Sequence, residues 1–257
     1  WSNSYARSGQ GFLSPSPRRY AEIEARLIAG DRGRAAAGLD WVALDYSAPL
    51  AGRVLGEVYP IQVRPGVEEQ FTYFVRASQS ARGFDGIALE STAPLRFISA
   101  AIEGEPISVE VAVEQVGFSV RFPRRVRQDE LVELRFASEV FVQATRFDAF
   151  LQDSAMDAAV RQRVEAGDAT DRFESSTNAV HLPLAEALFV NVDFGAQCVT
   201  PNGDGVNETL EVHFDLVNML EHRPLSLHVF NAGGRRVRSI EHSAVAGPQT
   251  LAWDGTD

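Results

Sequence analysis

The stretch Thr200-Pro201-Asn202-Gly203-Asp204-Gly205-Val206-Asn207-Glu208 concentrates oxygen-bearing side chains on one sharp turn: Asn202, Asp204, Asn207 and Glu208. Hard cations such as calcium take roughly six to eight oxygens at about 2.4 Å, so the chemistry suggested is a structural calcium site. Laid over an EF-hand loop, Asn202 and Asp204 fall at the third and fifth positions, Gly205 at the sixth and Glu211 at the twelfth. The template fails twice. Thr200 stands where the first carboxylate belongs, and Glu211 lies in an alternating strand pattern rather than opening a helix. An ion here would be held by the loop together with distant partners, for which Asp254 and Asp257 are the candidates. The competing reading is an interdomain turn, with Gly and Asn chosen for backbone geometry and Asp for local hydrogen bonds.

No other constellation carries chemistry. The five histidines, His181, His213, His222, His228 and His242, are scattered singly, and none has metal-ligand spacing. There is no nucleophile elbow, phosphate loop or dinucleotide fingerprint. Acidic pairs such as Glu68-Glu69 and Asp129-Glu130 sit at strand starts, where charge marks a solvated turn. A glycosidase would have to assemble its two carboxylates from distant strands. Arg121, Arg124, Arg125 and Arg127 form the densest positive patch, but Asp129, Glu130 and Glu133 follow at once, which suits protection of a sheet edge. Phe71, Tyr73, Phe118, Phe122, Phe136 and Phe141 fit inward strand positions, so core packing is expected of them rather than sugar stacking. The expectation is a non-catalytic chain.

These residues are carried on 257 positions of ordinary globular composition, 45% hydrophobic and 23% charged, long enough for two or three domains. The net charge of −11 argues against nucleic acid, since phosphate binding depends on clustered cations. All basic residues are Arg, and the single Cys198 excludes an internal disulfide. No apolar run is long enough to span a membrane as a helix. The chain begins at Trp1 and stops at Trp253-Asp254-Gly255-Thr256-Asp257, and both ends read as cuts.

Period-two alternation punctuated by Gly, Pro and Asp predicts an all-β chain of tandem antiparallel, immunoglobulin-like β-sandwiches, the first and last incomplete. Residues 1–50 would supply a terminal strand pair, Tyr20–Leu27 and Leu39–Tyr46, left from a preceding sandwich. Residues 51–195 would form a full sandwich, with strands at Glu69–Ala77, Leu95–Ile102, Ile107–Val113, Gly117–Phe122, Leu131–Val142, Val180–Leu184 and Ala187–Phe194. Ala81–Gly86 reads as a turn, and Pro123 as a residue excluded from a central strand. Between Asp153 and Glu165, the spacing of Ala155, Met156, Ala159, Val160 and Val164 predicts a short surface helix, capped by Asp153 or Ser154 and stopped at Gly167. Residues 196–257 form the third segment.

That last segment resembles the FlgD-like immunoglobulin-type domain and the related C-terminal modules of gliding-motility and type IX-secreted proteins. The resemblance rests on three ordered signatures: the Thr200-Pro201-Asn202-Gly203-Asp204-Gly205-Val206-Asn207 opening, the Phe230-Asn231 to Arg238 hairpin, and Trp253-Asp254-Gly255-Thr256-Asp257. Gly56-Glu57-Val58-Tyr59-Pro60 and Gly167-Asp168-Ala169-Thr170 are similar to a module that precedes this domain in bacterial exoproteins. Residues 1–50 look like the end of a carbohydrate-binding or discoidin-type sandwich. The resemblance implies a structural spacer or surface-display segment of an extracellular or cell-surface bacterial protein. Its partners would be neighbouring domains of the same polypeptide and a glycan or cell-surface component. The alternative is an accessory carbohydrate- or protein-binding module of a secreted polysaccharide-acting enzyme or adhesin.

Overall fold

The computed structural model describes residues 9–10, 20–27, 38–78, 83–156, 160–183, 187–195 and 198–256. The chain is all-β. Its larger unit contains β1 (Arg53–Tyr59), β2 (Glu68–Ser78), β3 (Phe84–Glu90), β4 (Arg96–Ile102), β5 (Glu105–Ile107), β6 (Glu110–Glu114) and β7 (Gly117–Val126). It continues with β8 (Leu131–Glu139), β9 (Thr145–Arg146), β10 (Asp148–Gln152), β11 (Gln162–Arg163), β12 (Glu165–Ala166) and β13 (Ala179–Val180). The smaller unit is built from β14 (Phe189–Phe194), β15 (Leu210–Leu216), β16 (Arg223–Phe230), β17 (Arg236–Ala244) and β18 (Gly247–Trp253).

In the larger unit a six-stranded sheet, β12-β1-β2-β8-β4-β5, faces a five-stranded sheet, β11-β10-β3-β7-β6. All pairings within these two sheets are antiparallel except β1 with β12. Alternation decides which side chains meet. On β2 the inward residues Phe71, Tyr73 and Val75 lie opposite Phe136, Leu134 and Val132 of β8. On the facing sheet, Ile87 and Leu89 of β3 lie opposite Val120 and Phe118 of β7. The two inner faces share one buried cluster in which Phe136 packs on Phe71, Phe118 and Phe147 at ring separations of 5.5, 6.2 and 5.0 Å. Each such side chain contributes about 1.5–3 kcal/mol of burial free energy, so this cluster is the dominant source of cohesion.

The six-stranded sheet is covered on its outer face as well. Residues 167–178 cross it as a strap, with Phe173 stacked on Tyr59 at 4.0 Å and tilted against Phe74 at 5.5 Å. Arg172 donates to the buried Glu133 at 2.6 Å, and Arg76 Nε donates to the carbonyl of Ala169 at 2.8 Å.

Several expectations are corrected. Among the described residues, Tyr20–Leu27 and Leu39–Tyr46 carry no strand, and Trp41 and Tyr46 are 74% and 95% exposed. An alternating pattern makes a strand only when another strand completes its hydrogen bonds, and no ladder reaches these residues. The helix expected at Asp153–Glu165 is also absent from the described residues; Ala159 lies outside them. A turn at 154–156 leads instead to β11, which pairs with Phe150 and Leu151 of β10. Buried Gln162 accepts from the backbone N–H groups of Leu50 and Ala51 and donates to the Ala51 carbonyl, anchoring an extended backbone. Tertiary pairing overrides the helical spacing.

Phe84-Asp85-Gly86 opens β3 rather than belonging to a turn, with Gly83 at φ 76° just before it; Ala81 and Arg82 lie outside the described residues. Pro123 does lie within β7, but past the residues paired with β6 and inside a register shift where Phe84 and Gly86 face Val126 and Arg121. The bulge removes the need for a ladder N–H at the proline. The strand expected at Ile107–Val113 is two strands, β5 and β6, on different sheets. Phe189–Phe194, assigned from periodicity to the middle sandwich, pairs with β15 in the smaller unit.

In that smaller unit, a three-stranded sheet, β14-β15-β18, faces the hairpin β16-β17. Val212, Phe214, Leu216, Ala244 and Leu251 are its buried core, with Leu210, Met219, Leu225 and Leu227 partly buried around them. Phe189, Val192 and Phe194 on β14 remain 45%, 51% and 59% exposed.

Candidate functional site

The oxygen-rich loop joins β14 to β15. Thr200 N–H donates to the Asn207 carbonyl at 2.8 Å, closing the loop at its base, and Thr200 Oγ1 donates to the Val206 carbonyl at 3.3 Å. Gly203 and Gly205, both at φ 81°, and Asn207, at φ 52°, provide the left-handed backbone that reverses the chain. Asn207 is a residue type that tolerates this region.

The side chains close on the loop itself. Asn202 Oδ1 accepts from Asp204 N–H at 3.0 Å while Asn202 Nδ2 donates to Asp204 Oδ2 at 3.0 Å. Asp204 Oδ1 accepts from Val206 N–H at 2.7 Å, and Glu208 Oε1 accepts from Gly205 N–H at 3.1 Å. The Val206 N–H and the Asn202 amide hold the exposed Asp204 carboxyl below the usual aspartate range. This is the arrangement of a self-capped turn.

Asp254 stands close by. Its Oδ1 accepts from the hydroxyl and the N–H of Thr256 at 2.7 and 3.1 Å, and these donors lower its pKa. Gly255 (φ 77°) lies so tightly against Pro201 that a Cβ there would approach the ring Cγ to 2.7 Å. The structure thus brings the turn carrying Asp254 to the side of the 200–208 loop. Among the described residues, no three His, Cys, Asp or Glu side chains gather as a metal-ligand group, and Asp257 lies outside those residues.

Several other polar groups are committed to structure. Arg124 pairs with both oxygens of Glu130 at 2.8 and 2.9 Å, and Arg125 pairs with the buried Asp153 at 2.6 Å. They line an open hollow of about 620 Å³ with Asp85, Glu110 and Arg121. His213 meets Thr250, His228 meets Ser239 and His242 meets Gln249, each through one ring nitrogen.

Two features were not legible in the sequence. Glu57, fully buried on β1, accepts with Oε1 from Ala169 and Thr170 N–H at 2.9 and 2.8 Å, whereas among the described residues no group meets its Oε2 at close hydrogen-bonding geometry. Burial pushes its pKa up, against the opposing pull of those two N–H groups and the Ser175 hydroxyl. A single Glu inside Leu55-Gly56-Glu57-Val58 signals nothing about a strap more than 100 positions away.

The second feature is the junction between the units. Asn218 (φ 58°) follows β15; its backbone N–H donates to the Phe141 carbonyl at 2.8 Å and its Oδ1 accepts from Gln143 N–H at 2.7 Å. Asp215 Oδ2 accepts from Asn191 Nδ2 at 2.7 Å and lies beside Gly66 (φ 66°), where a Cβ would come within 2.4 Å of it. Val217 N–H donates to the Leu188 carbonyl at 3.0 Å. The only signal in the sequence is that Asn tolerates a positive φ.

No family model matches this sequence. No curated protein matches it either. Among solved structures, an M1 zinc metallopeptidase from Deinococcus radiodurans is similar over 75% of this chain at 12% identity, with a TM-score of 0.26. The chain spans about 38% of that peptidase's length. An overlap this low does not extend the peptidase's zinc chemistry to the present chain.

Proposed function

We infer that this chain is a non-catalytic spacer or surface-display segment of a larger exported bacterial protein, in which consecutive β-sandwiches hold one another at a fixed angle. The junction supports the reading. One hydrogen bond donated by Asn218, one accepted by it, and the Gly66–Asp215 contact tie the smaller unit directly to the larger. A spacer transmits position, and backbone-level coupling across a junction is what that task requires.

The test is a distance distribution between spin labels placed at exposed Ser176 and Ser226, one on each unit. A narrow distribution that broadens in Asn218→Ala is the expected result. A broad distribution in the unmodified chain would remove the spacer reading. Binding of neutral oligosaccharides by the intact chain would instead favour an accessory module.

The placement of Gly255 against Pro201 favours a second element of the proposal, calcium held between the Asn202–Glu208 loop and Asp254. An ion bound by the folded form alone, at a hundredfold excess over its Kd, stabilises by about 2.7 kcal/mol. Calcium should then raise the melting temperature of the smaller unit, and Asp204→Ala should abolish the rise. An unchanged melting curve with calcium would leave the loop as a self-capped turn.

A further inference from the structure

We propose that β6 is a docking edge for an extended, cationic segment of a partner protein, which adds as a strand to the five-stranded sheet. Among the described residues, the two large facing sheets have four edge strands, and three are stubs: β12 and β11 have two residues each and β5 has three. Such short edges offer too few backbone groups to template another strand. The fourth, β6, has five residues and among the described residues pairs only with β7, from Glu110 opposite Arg121 to Glu114 opposite Gly117. Its outer backbone groups are therefore available for strand addition.

The side chains of β6 specify the occupant. Val111 and Val113 project to one face and are 43% and 88% exposed, with Val116 beyond them at 51%. Glu110, Ala112 and Glu114 project to the other face. Glu110 has only a loose contact with Arg121 at 4.0 Å, and among the described residues no cation pairs with Glu114. An incoming strand would cover the valines with aliphatic residues and meet each glutamate with Arg or Lys, giving a basic-aliphatic-polar-aliphatic-basic pattern.

The same charges disfavour a second copy of this chain. Antiparallel self-pairing centred on Ala112 would set Glu110 opposite Glu114 twice, and in-register parallel pairing would set each glutamate beside its twin. Like charges directly opposite destabilise a strand pair. The edge rejects itself and selects a cation.

The experiment uses the full chain and two blocked peptides built around Arg-Val-Thr-Val-Arg and Glu-Val-Thr-Val-Glu. The basic peptide should slow amide exchange at residues 110–114 and bind about tenfold more tightly than the acidic one. The double variant Glu110→Lys with Glu114→Lys, at an exposed and a half-buried position outside the buried cluster, should reverse that preference. Protection elsewhere, absence of binding, an unreversed preference, or dimerisation of the unmodified chain through β6 would each overturn the proposal.

Discussion

The two units share an architecture but differ in how completely they close. In the larger one, 28 buried apolar residues among those described fill the space between two sheets, and a strap seals the outer face of one of them. In the smaller one, a cluster of five buried residues among those described lies between three strands and two, while Phe189 and Phe194 of β14 stay 45% and 59% exposed. Small cores bury too little surface to offset chain entropy with much margin. The larger unit is therefore expected to be the more stable of the two, with the smaller gaining support through the Asn218 junction. Similar alternation in sequence produces unequal stability because stability follows the area that a second layer covers.

The strongest way to test this contrast is to open a cavity in each core. Phe136→Ala removes a ring that touches three other phenylalanines, and we expect a loss of about 3–5 kcal/mol in the main unfolding transition. Phe214→Ala should melt the smaller unit alone and leave the main transition in place, as read by calorimetry. Equal shifts of one shared transition would show that the units do not differ as described.

A smaller effect separates coupling from packing. Asn218→Ala deletes the acceptor for Gln143 N–H and places a less tolerant residue at φ 58°, costing about 1–2 kcal/mol. The loss should appear as a split between two calorimetric transitions that are closer together in the unmodified chain. Asn218→Gly, which restores backbone freedom without the acceptor, should recover part of it.

The smallest effects are in pH, and they have opposite signs. Glu57 has a pKa raised by burial, so its contribution is fully present below the ordinary glutamate value of 4.5 and is lost as pH rises through its folded value. Glu57→Gln should therefore reduce the fall in stability on the alkaline side of 4.5, measured by denaturant titration across pH. Glu130, lowered chiefly by its hydrogen bonds from Arg124, contributes above 4.5 and loses that contribution as pH falls through its folded value. Glu130→Gln should cost most near neutrality and least in acid. If both variants shift the curve in the same direction, the contrast between buried strap and exposed ion pair is wrong.

Much of the fold was legible because burial of one face imposes period two on a strand. Glu68–Ser78, Arg96–Ile102 and Leu131–Glu139 follow the expected strands within a few residues. Phe84–Glu90 escaped because Asp85 and Gly86 carry turn chemistry, and their place beside β7 is set by long-range pairing. Spacing at 153–165 suggested a helix because small and apolar residues can satisfy either period. At the candidate loop, the packing of the turn that carries Asp254 against Pro201 was anticipated. The loop's internal hydrogen bonds were not, because a carboxylate written beside glycines can face an ion or its own backbone equally well.

The order of residue types alone determined that this chain forms layered antiparallel sheets, since alternating side chains can satisfy their backbone only by pairing sideways. Tertiary structure alone decided which strands became neighbours, that Glu57 lies buried beneath a strap, and that Asn218 fastens one unit to the other. Those outcomes depend on contacts between residues about 75 to 113 positions apart. Local periodicity has no term for them.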